Sequence, residues 1–256
     1  TGDYHKGSLA NINAVAVDSG YITQCHAQGA YPLAYYPHNY HFLAATATLE
    51  GNSFWARKAA HKMKEHSNIE LMKQDGWGTI QHYYTIPYYV NIKFAKWDRI
   101  LEMENDDKSI AYPEAVRHYA RGMAHNAKGD RKAAEQELHE LINYANDDDL
   151  NSVTIWEINS VYTLLQIAKR VLKAEILTSQ EKYDEAILLL NEAVEIEDKL
   201  NYNEPPDWFF SVRHKLGDVQ LRAGYYELAV ITFKEDLERL PKNGWALNGL
   251  AEAYQA

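Results

Sequence analysis

One cysteine, Cys25, stands among 256 residues, so no disulfide can form within the chain and the redox compartment stays open. Basic residues are few: 26 Lys and Arg against 36 Asp and Glu give a net charge of −10. That balance argues against a nucleic-acid backbone as partner. No apolar run approaches the roughly 20 residues that cross a bilayer. The opening TGDYHKGS has the pattern of neither a signal nor a transit peptide. G-x-S-x-G, Walker A, dinucleotide and H-E-x-x-H motifs are all missing. Residues 146–149 lack the ligand spacing and glycine of an EF-hand, which leaves them as a solvated acidic loop.

What is present is aromatic and imidazole: 19 tyrosines and 11 histidines, the aromatics crowding between Tyr31 and Trp97. The 46% hydrophobic content is enough for a sizeable core. Order is clearest in 211–254. Leu216, Gly217 and Leu221 precede Gly224; Tyr226, Ala229, Phe233 and Leu237 follow, and Pro241 closes the unit. Small residues at 217 and 229 let two antiparallel helices approach, and the larger ones fill the space between them. Gly224 supplies the tight turn. Leu250 and Ala251 restart the pattern 34 residues after Leu216 and Gly217.

This unit resembles the tetratricopeptide repeat, a helix–turn–helix of about 34 residues. Further units fit along the chain. A helix at 37–50 turns at Gly51 into one at 53–64, and a pair at 81–94 and 97–104 turns at Ala95. Pro87 predicts a kink or a start within that first helix. A unit at 113–145 turns at Gly129, and a fifth turn falls at 181–183 after about 18 extra residues that include Trp156 and Glu157. Residues 19–36 read as a long connection. The expected fold is an all-α, right-handed α-solenoid spanning 1–256, with about five full repeats and a half-repeat at each end. Such ends read as those of a fragment whose N-terminal part is missing.

The resemblance implies a concave groove lined by first helices, at positions 2, 5, 9, 12 and 13 when the turn residue is 15. Position 2 is then His38, His82, Val116, Ala168, Ser211 and Trp245; position 5 is His41, Thr85, Tyr119, Val171, His214 and Asn248. Position 9 is Ala45, Tyr89, Met123, Glu175 and Asp218. The Lys and Asn clamp with which chaperone-tail binders hold a carboxylate at positions 5 and 9 is absent.

His38 and His41 share a helical face, and His82 lies one unit away. Together they could hold copper, zinc, iron or nickel. Equally, they could bond loop carbonyls and tyrosine hydroxyls. His214 joins them only if the superhelix curls tightly. The second constellation is Glu204-Pro-Pro-Asp207-Trp208 with Arg213 and His214, a place for ligand contact or for acid–base chemistry by Asp207, Glu204 or His214. Its alternative is a helix start capped by Asp207. His118 and His125 read as core histidines; His5, His61, His66 and His139 read as surface or loop groups. PHNYHF, EPPDW, RH and KNGWALNGLA resemble stretches in a group of bacterial tetratricopeptide proteins. That likeness implies a bacterial origin and leaves cytoplasm and periplasm equally open.

The expected function is a binding scaffold. Its groove, with Tyr40, Tyr89, Tyr119, Trp208, Arg213 and Trp245 as contacts, takes a peptide, protein or small molecule. The alternative is a metal-dependent enzyme using the three-histidine set. A third possibility is a structural unit of a larger assembly.

Overall fold

Left-handed turns divide the chain. Gly51 (φ 84°), Ala95 (52°), Gly129 (81°), Glu181 (60°) and Gly224 (80°) each reverse the backbone between two helices. The computed structural model describes residues 2–25, 36–104 and 106–256. After α1 (Tyr4–Cys25) come the pairs α2 (Tyr36–Leu49) with α3 (Ser53–His66) and, past the single turn α4 (Ile69–Met72), α5 (Gly78–Lys93) with α6 (Trp97–Glu102). Next are α7 (Ala111–Ala127) with α8 (Arg131–Ala145) and α9 (Val161–Thr178) with α10 (Tyr183–Asp198). Then α11 (Arg213–Arg222) pairs with α12 (Tyr226–Arg239), and α13 (Gly244–Gln255) follows. This is an all-α solenoid of stacked helix pairs.

Two of the five turns lack glycine. Ala95 and Glu181 hold a left-handed backbone despite a Cβ, which costs about 1–2 kcal/mol each. Glu181 is exposed, so little but this strain responds to its replacement. Glu181→Gly is expected to raise the urea midpoint by an amount worth about 1 kcal/mol. An unchanged midpoint would mean that the turn is unstrained.

Of the kink or start expected at Pro87, the start is corrected. α5 begins at Gly78 and continues past Pro87 to Lys93. Every residue of α5 except Thr79 and Lys93 is buried, so packing on all sides outweighs the hydrogen bond that proline cannot make. The predicted connection at 19–36 is also corrected in part. α1 continues to Cys25, residues 26–35 lie outside the described residues, and Tyr36 already opens α2.

The extra residues before the fifth turn form a two-stranded antiparallel hairpin, β1 (Thr154–Ile155) and β2 (Asn159–Ser160). Its two central residues, Trp156 (φ 52°) and Glu157 (59°), are both left-handed, and Ile158 N–H donates to the Ile155 carbonyl at 2.9 Å. That conformation usually recruits Asn-Gly or Gly-Gly. The hairpin docks on the start of α5, where Trp156 N–H donates to Thr79 Oγ1 at 2.8 Å. A Cβ added to Gly78 would fall 2.4 Å from the Thr154 carbonyl oxygen, so only glycine allows this approach.

The solenoid curls far enough for its last helix to reach its second. Trp245 Nε1–H of α13 donates to the Thr48 carbonyl of α2 at 2.8 Å. The Trp245 ring also stands edge-on to Phe94, centroids 5.6 Å apart.

Candidate functional site

First helices face inward, but the chain itself occupies much of the space they enclose. The segment before α11 threads across it with Trp208 and Phe209 buried. Trp208 meets Tyr89 at 5.6 Å and Tyr119 at 5.8 Å between ring centroids, and Phe209 stacks on His41 at 5.3 Å. Beside this segment lies a cavity of about 290 Å³. Tyr89, Tyr119, Trp208, Phe210 and Trp245 give it aromatic walls; Lys93, His214, Lys215, Asp218, Asn248 and Glu252 give it polar groups.

Lys93, at the last position of α5, donates from Nζ to His214 Nδ1 at 2.8 Å. His214 Nε2 lies 2.9 Å from Asp236 Oδ2, and this carboxylate has no exposure. Asn243 Nδ2 donates to the same oxygen at 2.9 Å, while Asn243 Oδ1 caps α13 by accepting from Ala246 N–H. A carboxylate at Nε2 fixes the tautomer: the proton sits on Nε2, and Nδ1 is the acceptor facing Lys93. Lys93 Nζ lies 4.3 Å from the Trp245 ring centroid and 5.9 Å from that of Phe210.

Electrostatics in this row favour neutral bases. Burial and the neighbouring Lys215 bring the Lys93 amine down to about 7, against a partial upward pull from Asp236 and Asp218. Burial and Lys93 hold His214 below its ordinary value despite Asp236. Lys215 differs: burial lowers it, but Glu175, 3.1 Å away, and Asp218 outweigh burial and keep it charged. Burial raises Asp218.

His38, His41 and His82 are neighbours, as the groove positions suggest. His41 and His82 stand 5.5 Å apart between centroids, and burial with mutual repulsion holds His41 well below the usual imidazole range. Burial takes His82 down to about 3, and its Nδ1 bonds Tyr112 Oη at 2.9 Å. His38 packs against Phe42 and Trp156. Among the described residues, no group of three or more His, Cys, Asp or Glu side chains is placed to hold a metal ion. His214 lies apart from these three, on the Lys93 row.

Asp207 is buried and tied to loops. It accepts from Asn159 Nδ2 and from Asn203 Nδ2, each at 2.8 Å, and burial raises it to about 6. It caps no helix, since α11 starts only at Arg213. Asp207 instead fastens the hairpin to the 201–207 loop, where Asn159 and Asn201 also exchange hydrogen bonds. Asp207→Ala is therefore expected to cost about 1–2 kcal/mol in chemical denaturation, by removing the shared acceptor of the buried Asn159 amide and the half-buried Asn203 amide. Glu204 is exposed on that loop. Arg213 makes paired 2.8 Å bonds to Asp198 and reaches Glu235. Tyr40 is buried in α2 with its hydroxyl 3.0 Å from that of Tyr36. Of the expected contacts, Tyr89, Tyr119, Trp208 and Trp245 line the cavity; Tyr40 and Arg213 do not. His118 is half-buried beside Glu137, its Nδ1 2.6 Å from that carboxylate, rather than a core residue.

Sequence reasoning passed over Lys93 and Asp236. The first was within reach, because Lys93 occupies position 13 of its unit, one of the five groove positions. Asp236 lies on a second helix and carries no such mark. A second hollow of about 800 Å³ lies between α3, α5 and α6, with Arg57, Lys58 and Arg99 on its walls.

The tetratricopeptide repeat family matches residues 170–199, the later part of α9 through α10. No curated protein and no solved structure matches the chain.

Proposed function

We propose that the chain is a binding scaffold whose cavity on the concave face takes a small ligand or one inserted side chain of a partner polypeptide. The repeat at 170–199 supports a role in protein binding. The observation that carries the reading is the origin of the cavity walls. Five first helices, α5, α7, α9, α11 and α13, each contribute at groove positions: Tyr89 and Lys93, Tyr119, Val171, His214 and Asp218, then Trp245 and Asn248. Aromatic faces with a few fixed polar groups suit a compact ligand of mixed polarity, and about 290 Å³ sits near the lower end for small-molecule sites. Polar groups of both signs at the opening, Lys215 with Asp218 and Glu252, favour a partner that is not strongly charged.

Nuclear magnetic resonance offers the test. The chain has six tryptophans, and the indole N–H signals of Trp208 and Trp245 report on the cavity. A library of small fragments and short peptides is titrated into labelled protein. Binders are expected to shift those two signals and to lose affinity by about tenfold or more in Asn248→Ala, a side chain exposed on the cavity wall. Binders that shift only other signals, or none at all, would overturn the proposal.

A further inference from the structure

We propose that Lys93 is a nucleophile, an amine that captures a small aldehyde or ketone in this cavity as an imine. The inference rests on the binding reading above and names its ligand class. Three geometrical observations support it. Lys93 Nζ opens on a cavity and, among the described residues, forms no ion pair with a carboxylate; its close partner is the imidazole of His214. That imidazole offers Nδ1 as an acceptor because Asp236 and Asn243 hold its other side. Aromatic rings at 4.3 and 5.9 Å then flank the amine with apolar surface. A lysine kept for packing has no need of a base 2.8 Å from its nitrogen. Desolvation beside another cation is a known way to free an amine lone pair, and both elements are present, with Lys215 as the cation.

The chemistry balances without a further reagent. The neutral Nζ lone pair attacks the carbonyl carbon, a C–N bond forms, and the carbonyl π pair moves to oxygen. Nζ passes a proton to His214 Nδ1, and Asp236 stabilises the imidazolium. His214 returns that proton to the oxygen, the second Nζ proton follows by the same route, and water leaves as the neutral C=N bond forms; His214 ends neutral, and no atom is oxidised or reduced. Groups facing Nζ that shape its titration are His214, Lys215 and Asp218 from α11, Asp236 from α12, Glu252 from α13, and Tyr119 from α7.

Propanal with sodium cyanoborohydride is the probe, used on the whole chain under single-hit conditions from pH 6 to 9, with peptide mapping by mass spectrometry. At pH 7 Lys93 has about a thousandfold more neutral amine than an ordinary lysine. Lower basicity offsets part of that gain, so Lys93 is expected to be modified about tenfold faster than any other lysine. Its rate rises to half-maximum near pH 7, and His214→Asn slows Lys93 without changing the other lysines. Because the remaining lysines are an internal standard in the wild type, a failure of Lys93→Arg to fold leaves the test intact. Modification of Lys93 at the surface rate, or a half-maximum above pH 9, would overturn the proposal. If fragments bind at Trp245 but no adduct forms at Lys93, the nucleophile is refuted and the binding site stands.

Discussion

Asp236→Ala is expected to lose about 3–5 kcal/mol of stability, enough to lower the melting temperature by on the order of 10 °C. Asp236 has no exposure, and its Oδ2 accepts from both His214 and Asn243. Burial alone would raise this carboxyl, but hydrogen bonds from His214 and Asn243 outweigh it and hold the group below its ordinary value. Removing the anion strands two buried donors, which costs more than the net worth of the bonds themselves. It also frees Asn243, which caps α13, so the last helix should fray first. Urea unfolding of Asp236→Ala, Asn243→Ala and the double variant separates these effects. The double variant should cost clearly less than the sum of the singles, because both singles break one network. Additive losses would mean that the two side chains act independently.

Acid destabilisation is the second large effect. Burial holds His38, His41, His82 and His214 below their ordinary values in the folded chain, His82 at about 3. Unfolded, they take up protons below about pH 6.5, so the unfolded state binds more protons and stability falls as pH drops. The two fully buried imidazoles, His41 and His82, each contribute about 1.4 kcal/mol per pH unit in that window, and His38 and His214 add in the same sense. Asp207 and Glu197 oppose this. Raised by burial to about 6 and about 7, they are protonated when folded at a pH where the unfolded carboxyls are not. Asp218, also raised by burial, acts in the same sense, and four histidines against these three carboxyls leave a net loss of stability between about pH 6.5 and 5. His41→Phe keeps a ring to stack on Phe209 and removes a buried imidazole whose Nε2 has no hydrogen-bond partner among the described residues. Its stability should fall less steeply toward pH 5, by about 1.4 kcal/mol per pH unit. An equal slope in both proteins would mean that His41 titrates normally.

The helix pairs and their turns were legible because small and large apolar residues recur at helical spacing around Gly51, Gly129 and Gly224. Even Ala95 and Glu181 fell into register without glycine. The cavity walls were partly legible for the same reason, since Tyr89, Tyr119, His214 and Trp245 follow from a count of positions. Other features depend on contacts remote in sequence. The hairpin turns on Trp-Glu rather than Asn-Gly, which hides its left-handed backbone from propensity. Asp207 looked like a cap because Pro-Pro-Asp commonly starts a helix, whereas its partners Asn159 and Asn203 pull it into a loop. The curl that sets Trp245 over Lys93, and the filling of the groove by Trp208 and Phe209, are sums of packing over all units. No local pattern encodes them.

The most direct measurement concerns Lys93 itself. Lysine carrying ¹³C at Cε is incorporated, and its resonances are followed from pH 5 to 11, with Lys93→Arg identifying the signal. One lysine titrating near pH 7, and missing from the variant, is the expected result. A Lys93 signal that titrates above pH 10 with the others would contradict an amine desolvated between Trp245 and His214.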